Sequence, residues 1–422
     1  MAEQLKVLVS NPLRQHTHHL CYGLQQAGLL GGFYTTIWYK PQIGWQAMME
    51  KLPARLLRPW HKLMRKRYAS FLQPDKVHTR PWGELFRQFQ ARVHGQNDER
   101  FTFTMEQAHD MFMARQILKE KPDVVIGYEK SCFHTFTAAK KIGAYCILDL
   151  AQVHVDHISA LAEAYPMFRS IQTDDRTLAE IQHQKRSEYE LADTIFALSE
   201  YAAGTLLDGG IPQEKIQITH LGCDTQRFVP SSKNNDDKPF RFLFVGTMTK
   251  RKGLHLLLEA WERLNLRDAE LHLVGPMADA IDLIQNGLPA KVQHHPFMHH
   301  EELVKLYQAA DCFVFPSYLD SWAMVVVEAM ACGIPVIVSD HTGAKDVVIK
   351  GGGKIISHNS GKELEQAMLF MYQNPAQAKV WGKEAADLSK QYTWEHYYQQ
   401  IGDLVPSLWK RNKQGSQFNR IS

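Results

Sequence analysis

The chain has 422 residues, 45% of them hydrophobic, which is too long for one ordinary core and apolar enough to fill two. Lys and Arg number 48 against 45 Asp and Glu, so no global field points to nucleic acid, and any basic partner surface has to be local. The start, MAEQLKVLVSNPL, lacks the basic-then-apolar layout of a secretory signal, and no run approaches the ~20 apolar residues of a membrane span; a soluble, cytoplasmic protein is expected. Six cysteines without CxxC spacing (Cys21, Cys132, Cys146, Cys223, Cys312, Cys332) predict buried thiols, and no metal or other cofactor is implied.

Along the chain, short continuous apolar runs alternate with helical patterns. LKVLVS (5–10) reads as a first strand, and the helix after it runs from Thr17 to Ala27, with Thr17 as cap and Gly28 as stop. In the intervening loop, Arg14, Gln15 and His16 would face a ligand cleft if the sheet is parallel, which makes them candidate ligand contacts. Residues 51–74 differ in texture: seven Lys/Arg, no acid, and Leu, Trp60, Met and Phe at roughly helical spacing. They read as a basic insertion, suited either to an anionic membrane surface or to plain solvation. PDVVIG (122–127), YCILDL (145–150) and DTIFALS (193–199) are further strands buried on both faces. The loops after the first two present Glu129 and Lys130, then His154, Asp156 and His157. The polar stretch SSKNNDDKP (231–239) reads as a linker, after which RFLFVG (241–246), LHLVG (271–275), CFVFPS (312–317) and PVIVSD (335–340) restart the strand pattern. The sum is an α/β chain of two doubly wound domains, with ligands beyond the carboxyl ends of the strands.

Chemistry concentrates in the second half. YLDSWAMVVVEAMACGIPVIVSD (318–340) reads as a loop holding Asp320, then a helix from near Ser321 or Trp322 to Gly333, whose start is a ready anion site. From such a start Glu328 lies on the order of 10 Å down the axis, where a carboxylate suits ribose hydroxyls. In FVGTMTKRKG (244–253), Gly246 opens a turn into Lys250, Arg251 and Lys252; cations rather than a glycine cradle would neutralise a diphosphate there. HHPFMHH (294–300) matches no common zinc spacing.

VGTMTKRKG, ELVKLYQAADCFVFPS and DSWAMVVVEAMACGIPVIVSDHTGAKDVV together resemble the donor-binding half of the family 4 glycosyltransferases, a similarity that runs through most of residues 193–405. The resemblance implies a GT-B fold with an acceptor domain (1–222), a donor domain (223–392) and a terminal helix (393–410) crossing back. It implies a retaining, metal-independent transferase that takes a nucleotide-sugar donor to a glycan or lipid-linked acceptor in cell-surface polysaccharide or glycolipid synthesis. Gly246, Thr247, Lys252, Ser321, Trp322, Ala323, Met324, Val325 and Glu328 would bind the donor. Asp320, His154, Arg251 and Lys252 would act at the reacting centre, with His154 also lining the acceptor pocket beside Arg14, Gln15, His16 and Glu129. Departures sit at the site itself: Asp320 is shorter than the usual glutamate, Ala323 stands where glycine is common, and Thr247 replaces a frequent arginine. A small soluble glycoside as product, or a non-catalytic nucleotide-sugar module, fits the same residues.

Overall fold

The computed structural model describes residues 5–13, 16–38, 69–93, 99–168, 174–231, 238–284, 287–296, 298 and 300–418. Arg14, Gln15 and most of the basic stretch (51–68) lie outside them. The first half holds strands β1 (Val7–Ser10), β2 (Leu30–Thr35), β3 (Val77–Thr79), β4 (Val124–Tyr128), β5 (Tyr145–Leu150), β6 (Thr194–Ala197) and β7 (Ile216–Ile218). Its helices are α1 (Thr17–Gln26), α2 (Trp82–Val93), α3 (Glu99–Glu120), α4 (Phe133–Lys141), α5 (Val155–Ala164), α6 (Asp175–Leu191) and α7 (Glu200–Asp208). The second half holds β8 (Phe240–Val245), β9 (Ala269–Val274), β10 (Val292–His295), β11 (Cys312–Phe315), β12 (Val336–Ser339) and β13 (Gly353–Ile356). Helices α8 (Leu254–Leu264), α9 (His300–Ala309), α10 (Met324–Ala331), α11 (Lys345–Val348), α12 (Gly361–Gln373), α13 (Pro375–Ser389) and α14 (Trp394–Phe418) complete it.

All ladders are parallel, and the strand orders are β3-β2-β1-β4-β5-β6-β7 and β10-β9-β8-β11-β12-β13. These are two Rossmann-like sheets, so the expected α/β class holds. In each, the order reverses beside the first strand, between β1 and β4 and between β8 and β11; loops leaving adjacent strands there diverge and open a crevice. β1, β4, β5, β6, β11 and β12 are fully buried, which is why they read as largely apolar runs. β2 escapes that reading because LGGFYT carries Gly31 and Gly32, and Lys6 Cγ would stand 2.8 Å from a Cβ on Gly31. Thr17 is the first helical residue rather than the cap: its Oγ1 accepts from Asn11 Nδ2 (2.6 Å), tying the post-β1 loop to the helix.

The chain leaves the first sheet after Ile218 and enters the second at Phe240, and α14 returns to pack along α1. The exit and the return touch: Cys223 bridges Thr393, and Cys223 N donates to Tyr392 O (2.8 Å). All six cysteines are free and buried. Among the described residues no helix is long and apolar enough to cross a membrane.

Gly222 sits where the two chain segments meet, and a Cβ there would lie 2.3 Å from Trp394 N. Gly222→Ala should therefore lower stability by about 1–3 kcal/mol through forced backbone displacement, read as a lower urea midpoint at unchanged slope.

Candidate functional site

The crevice at the second switch point is built by two loops. After β8, Thr249 caps a short turn (Lys250–Lys252) by accepting from Lys252 N, and Gly253, at φ +74°, ends it. A Cβ on Gly253 would meet Pro316 O at 2.0 Å, so the turn lies directly on the loop that follows β11. Lys252 Nζ pairs with Asp320 Oδ2 across the two loops, with only 13% and 19% of the side chains exposed. Arg251 Nη1 donates to Leu319 O beneath them, while Lys250 turns away to Asp282 (2.6 Å). Burial pulls the Asp320 carboxyl up, but Lys252 and Arg251 outweigh it and hold the group below the ordinary carboxylate range. Burial likewise pulls Lys252 below the usual lysine value, Asp320 opposing it.

The helix after Asp320 starts at Met324, two or three residues later than the sequence suggests. Residues 320–322 are held as a loop: Asp320 Oδ1 accepts from Trp322 N (3.1 Å), Asp320 N donates to His341 O (3.0 Å), and Ser321 O accepts from Ser199 Oγ (2.7 Å). Ala323 then adopts φ +62°, ψ +68°, a left-handed conformation that cannot continue into a right-handed helix. Glu328 is thus little more than one turn, about 6 Å, from the helix start. It is half-buried and accepts from Tyr307 Oη (3.2 Å). Burial, only partly offset by Tyr307 and Arg227, pushes its pKa up to about 7.

A cleft of about 610 Å³ opens over these loops, lined from the second domain by Val245, Gly246, Lys252, Phe315, Asp320 and residues 321–325. From the first domain come His16, His18, His19, Ala151 and Leu198, and Trp394 of α14 closes one side. Trp322 is buried with no hydrogen-bond partner for its Nε1. Ser321 Oγ donates to Ala151 O (2.7 Å), so this hydroxyl fastens the two domains together at the cleft.

His16 is held from behind: its Nε2 lies 2.8 Å from Asp149 Oδ2, which also accepts from Tyr128 Oη at 2.5 Å. His154 occupies a different place. It caps α5, its Nδ1 accepting from Asp156 N (3.2 Å), and its ring is buried against Tyr189 and under Gly209, where a Cβ would lie 2.6 Å away. It does not line the cleft, because a cap residue's side chain folds back on its own helix start. Glu129 joins that second cluster, accepting from Tyr189 Oη (2.5 Å) with Lys185 Nζ 3.3 Å off. Thr247 is exposed, and neither it nor Arg251 nor Glu328 lines the cleft. The sequence reading missed His18, His19 and Trp394; the His19 ring stacks on Trp394 at 3.5 Å and 7°. The visible signal was a histidine run at the start of the helix after β1.

Among the described residues one group, Asp340, His341 and His358, brings metal-ligand atoms within 4.8 Å of one another. The two imidazoles stack face to face at 3.5 Å and 10°, and Asp340 Oδ1 already accepts from His358 N (2.8 Å) and lies 3.0 Å from its Nδ1. Parallel rings point their lone pairs side by side rather than at one ion, so the arrangement is a packed seam and not a preformed coordination sphere. In the HHPFMHH stretch, residues 297 and 299 lie outside the described set; His294 Nε2 lies 2.8 Å from Gly275 O, and His295 Nε2 lies 3.2 Å from His272 Nδ1.

Comparison with known proteins fits this geometry. Residues 225–388 match the model of the family described as glycosyl transferases group 1. The second domain is thus similar to the group 1 glycosyltransferases. Over the whole chain, sucrose-phosphate synthase from Thermosynechococcus elongatus superposes with a TM-score of 0.64 at 18% identity, covering 97% of this chain and 100% of that one. Anabaena Alr3699/HepE in complex with UDP-glucose gives 0.61 at 15% identity, covering 96% and 100%. The fold is therefore GT-B. Among curated proteins, D-inositol 3-phosphate glycosyltransferase of Arthrobacter sp. is 28% identical over 200 residues, 43% of this chain and 48% of that one. WcaL of Escherichia coli, a candidate colanic acid biosynthesis glycosyltransferase, is 27% identical over 193 residues, again 43% and 48%. The chain spans about half the length of the curated relatives it matches.

Two outcomes test the site. Ala323→Gly should raise stability by about 1 kcal/mol, since glycine tolerates the left-handed backbone, visible as a higher urea midpoint. Because the folded pKa of Glu328 is raised, its stabilising contribution is complete below the unfolded value near 4.5 and is lost as pH rises through about 7. Thermal unfolding should show Glu328→Gln gaining on the wild type across that window and holding the gain above it.

Proposed function

We propose that the protein is a retaining glycosyltransferase that moves a sugar from a nucleoside-diphosphate sugar to a hydroxyl of a glycan or lipid-linked acceptor. The observation that carries the reading is the Lys252–Asp320 pair set beside the start of α10 in the inter-domain cleft: a cation and a helix dipole where a diphosphate would lie, and a carboxylate where its sugar would be. The group 1 match of the second domain supports it, as do the UDP and UDP-glucose complexes of Alr3699/HepE on the same fold.

In this reading the diphosphate lies against Gly246, Lys252 and residues 321–325, and the ribose reaches past the cleft lining to Glu328, a turn further along α10, in place of its Tyr307 contact. Asp320 orients the sugar. His16, backed by Asp149, is the first-domain side chain at the reacting centre, a role the resemblance alone would assign to His154. The bond from the anomeric carbon to the phosphate oxygen breaks as the acceptor oxygen enters on the same face, and the acceptor proton passes to the departing phosphate oxygen. Lys252 and the helix start stabilise the charge that develops on the leaving group, with Arg251 fixing the loop under Asp320. This cation supply is why the reading needs no resident metal at the diphosphate. Trp394 and the Ser321–Ala151 contact close the cleft against water that would hydrolyse the donor. The resemblance to WcaL favours cell-surface polysaccharide synthesis as the setting.

Thermal-shift screening of nucleoside diphosphates and their sugars should find at least one that raises the melting temperature, by an amount equal to about 2.7 kcal/mol at a hundred times its Kd; a flat response across the set overturns the reading. Glu328→Ala should weaken that ligand, whereas Asp320→Asn should keep nucleotide affinity and lose about 10²–10³ in transfer rate. An affinity untouched by Glu328→Ala removes the ribose role.

A further inference from the structure

On α2 the usual polarity of a surface helix is reversed. The side packed on α3 carries a charge pair: Glu84, fully buried, accepts from Arg87 Nε (2.7 Å) and Nη2 (2.9 Å) and from Gln88 Nε2 (2.9 Å). Gly83 on the same side lets α3 approach, since a Cβ there would stand 3.2 Å from Met105. The opposite side shows Trp82 at 74%, Leu85 at 41%, Phe86 at 58%, Phe89 at 62% and Val93 at 62% exposure. With 3.6 residues per turn these five fall within an arc of about 100°. A helix that spends its only acid on an inner ion pair and turns two phenylalanines and a tryptophan outward gains nothing from water on that face.

Charge decides what covers it. Between residues 51 and 81, the chain leading into α2, nine Lys or Arg stand against one acid, Asp75, while the whole chain is only +3. The remainder is therefore net acidic, and the positive charge is concentrated in the stretch of sequence that runs into the apolar helix. A second copy docking through α2 would bring a second segment of the same charge sign with it, which disfavours that pairing. An anionic bilayer satisfies both features, taking the aromatic side chains at its headgroup boundary and the cations on its phosphates.

We propose that α2 is a membrane-docking helix, its face of Trp82, Phe86, Phe89 and Val93 entering the surface of an anionic bilayer. This deepens the lipid-linked branch of the functional reading by naming the surface on which the acceptor would be met, and it depends on no step of the transfer.

The test is sedimentation of the full chain with phosphatidylglycerol-containing vesicles, in the absence of nucleotide and acceptor. The wild type should bind them, bind pure phosphatidylcholine vesicles less, and be partly released by raised salt. Phe86→Ser with Phe89→Ser should cut partitioning by more than about tenfold, while Phe86→Leu with Phe89→Leu keeps it; both pairs sit on an exposed face, so their urea midpoints should match the wild type. Binding by the serine pair equal to wild type overturns the proposal, as does no binding to anionic vesicles. A wild-type dimer in solution that the serine pair turns into monomer, without vesicle binding, would instead make α2 a contact between copies. Asp320→Asn should bind vesicles like the wild type, so a failed transfer reading and a failed docking helix give different results.

Discussion

The Lys252–Asp320 pair depends on one topological fact. Because β8 and β11 are neighbours in a sheet whose order reverses between them, the loops at their carboxyl ends leave in opposite directions and face each other across a gap. Residues 68 positions apart in sequence close that gap with opposite charges. The pair is largely shielded from water, so breaking it from either side strands a buried charge; the surrounding backbone is correspondingly fixed, by Gly253 pressed on Pro316 and by Asp320 bonded through both N and O to residues 341 and 343.

From that anchor the cleft is assembled by the other domain. Ser199 and Ala151, at the ends of β6 and β5, both bond Ser321, and Glu200 N donates to Asp346 at the start of α11 (2.7 Å). An aromatic seam continues the contact: Tyr165 and Phe168 pack on Tyr318, and Tyr201 stacks on His341, which stacks on His358. On the other side α14 crosses to α1, where His19, Trp394 and Tyr398 form a stack. Across the cleft the domains thus meet through a few hydrogen bonds and ring contacts, while on the α14 side the apolar packing runs on from one domain into the other.

Much of this was legible in one dimension. Strands buried on both faces are mostly apolar, so β5, β8, β11 and β12 stood out even with Asp149 and Arg241 in two of them, and the alternation with helices pointed to a parallel sheet. β2, with two glycines, and the three-residue β3 and β7 carry too little pattern to be seen. Asp320, Lys252 and Ala323 were found as a group because the loops that hold them are short and local. Histidines were harder. His16 and His154 both follow strands of the first sheet, and only packing shows that His154 folds under Gly209 while Asp149 turns His16 to the cleft.

What the sequence by itself determined is therefore the class and the chemistry: two doubly wound domains, a carboxylate and a cation in loops after strands, and a basic stretch unlike the rest. Tertiary structure decided which residues share a site and which face water. Helix periodicity shows that α2 has an apolar stripe but not which way the stripe points. That direction is set by the burial of Glu84 with Arg87 against α3, a contact between segments that sequence spacing does not encode.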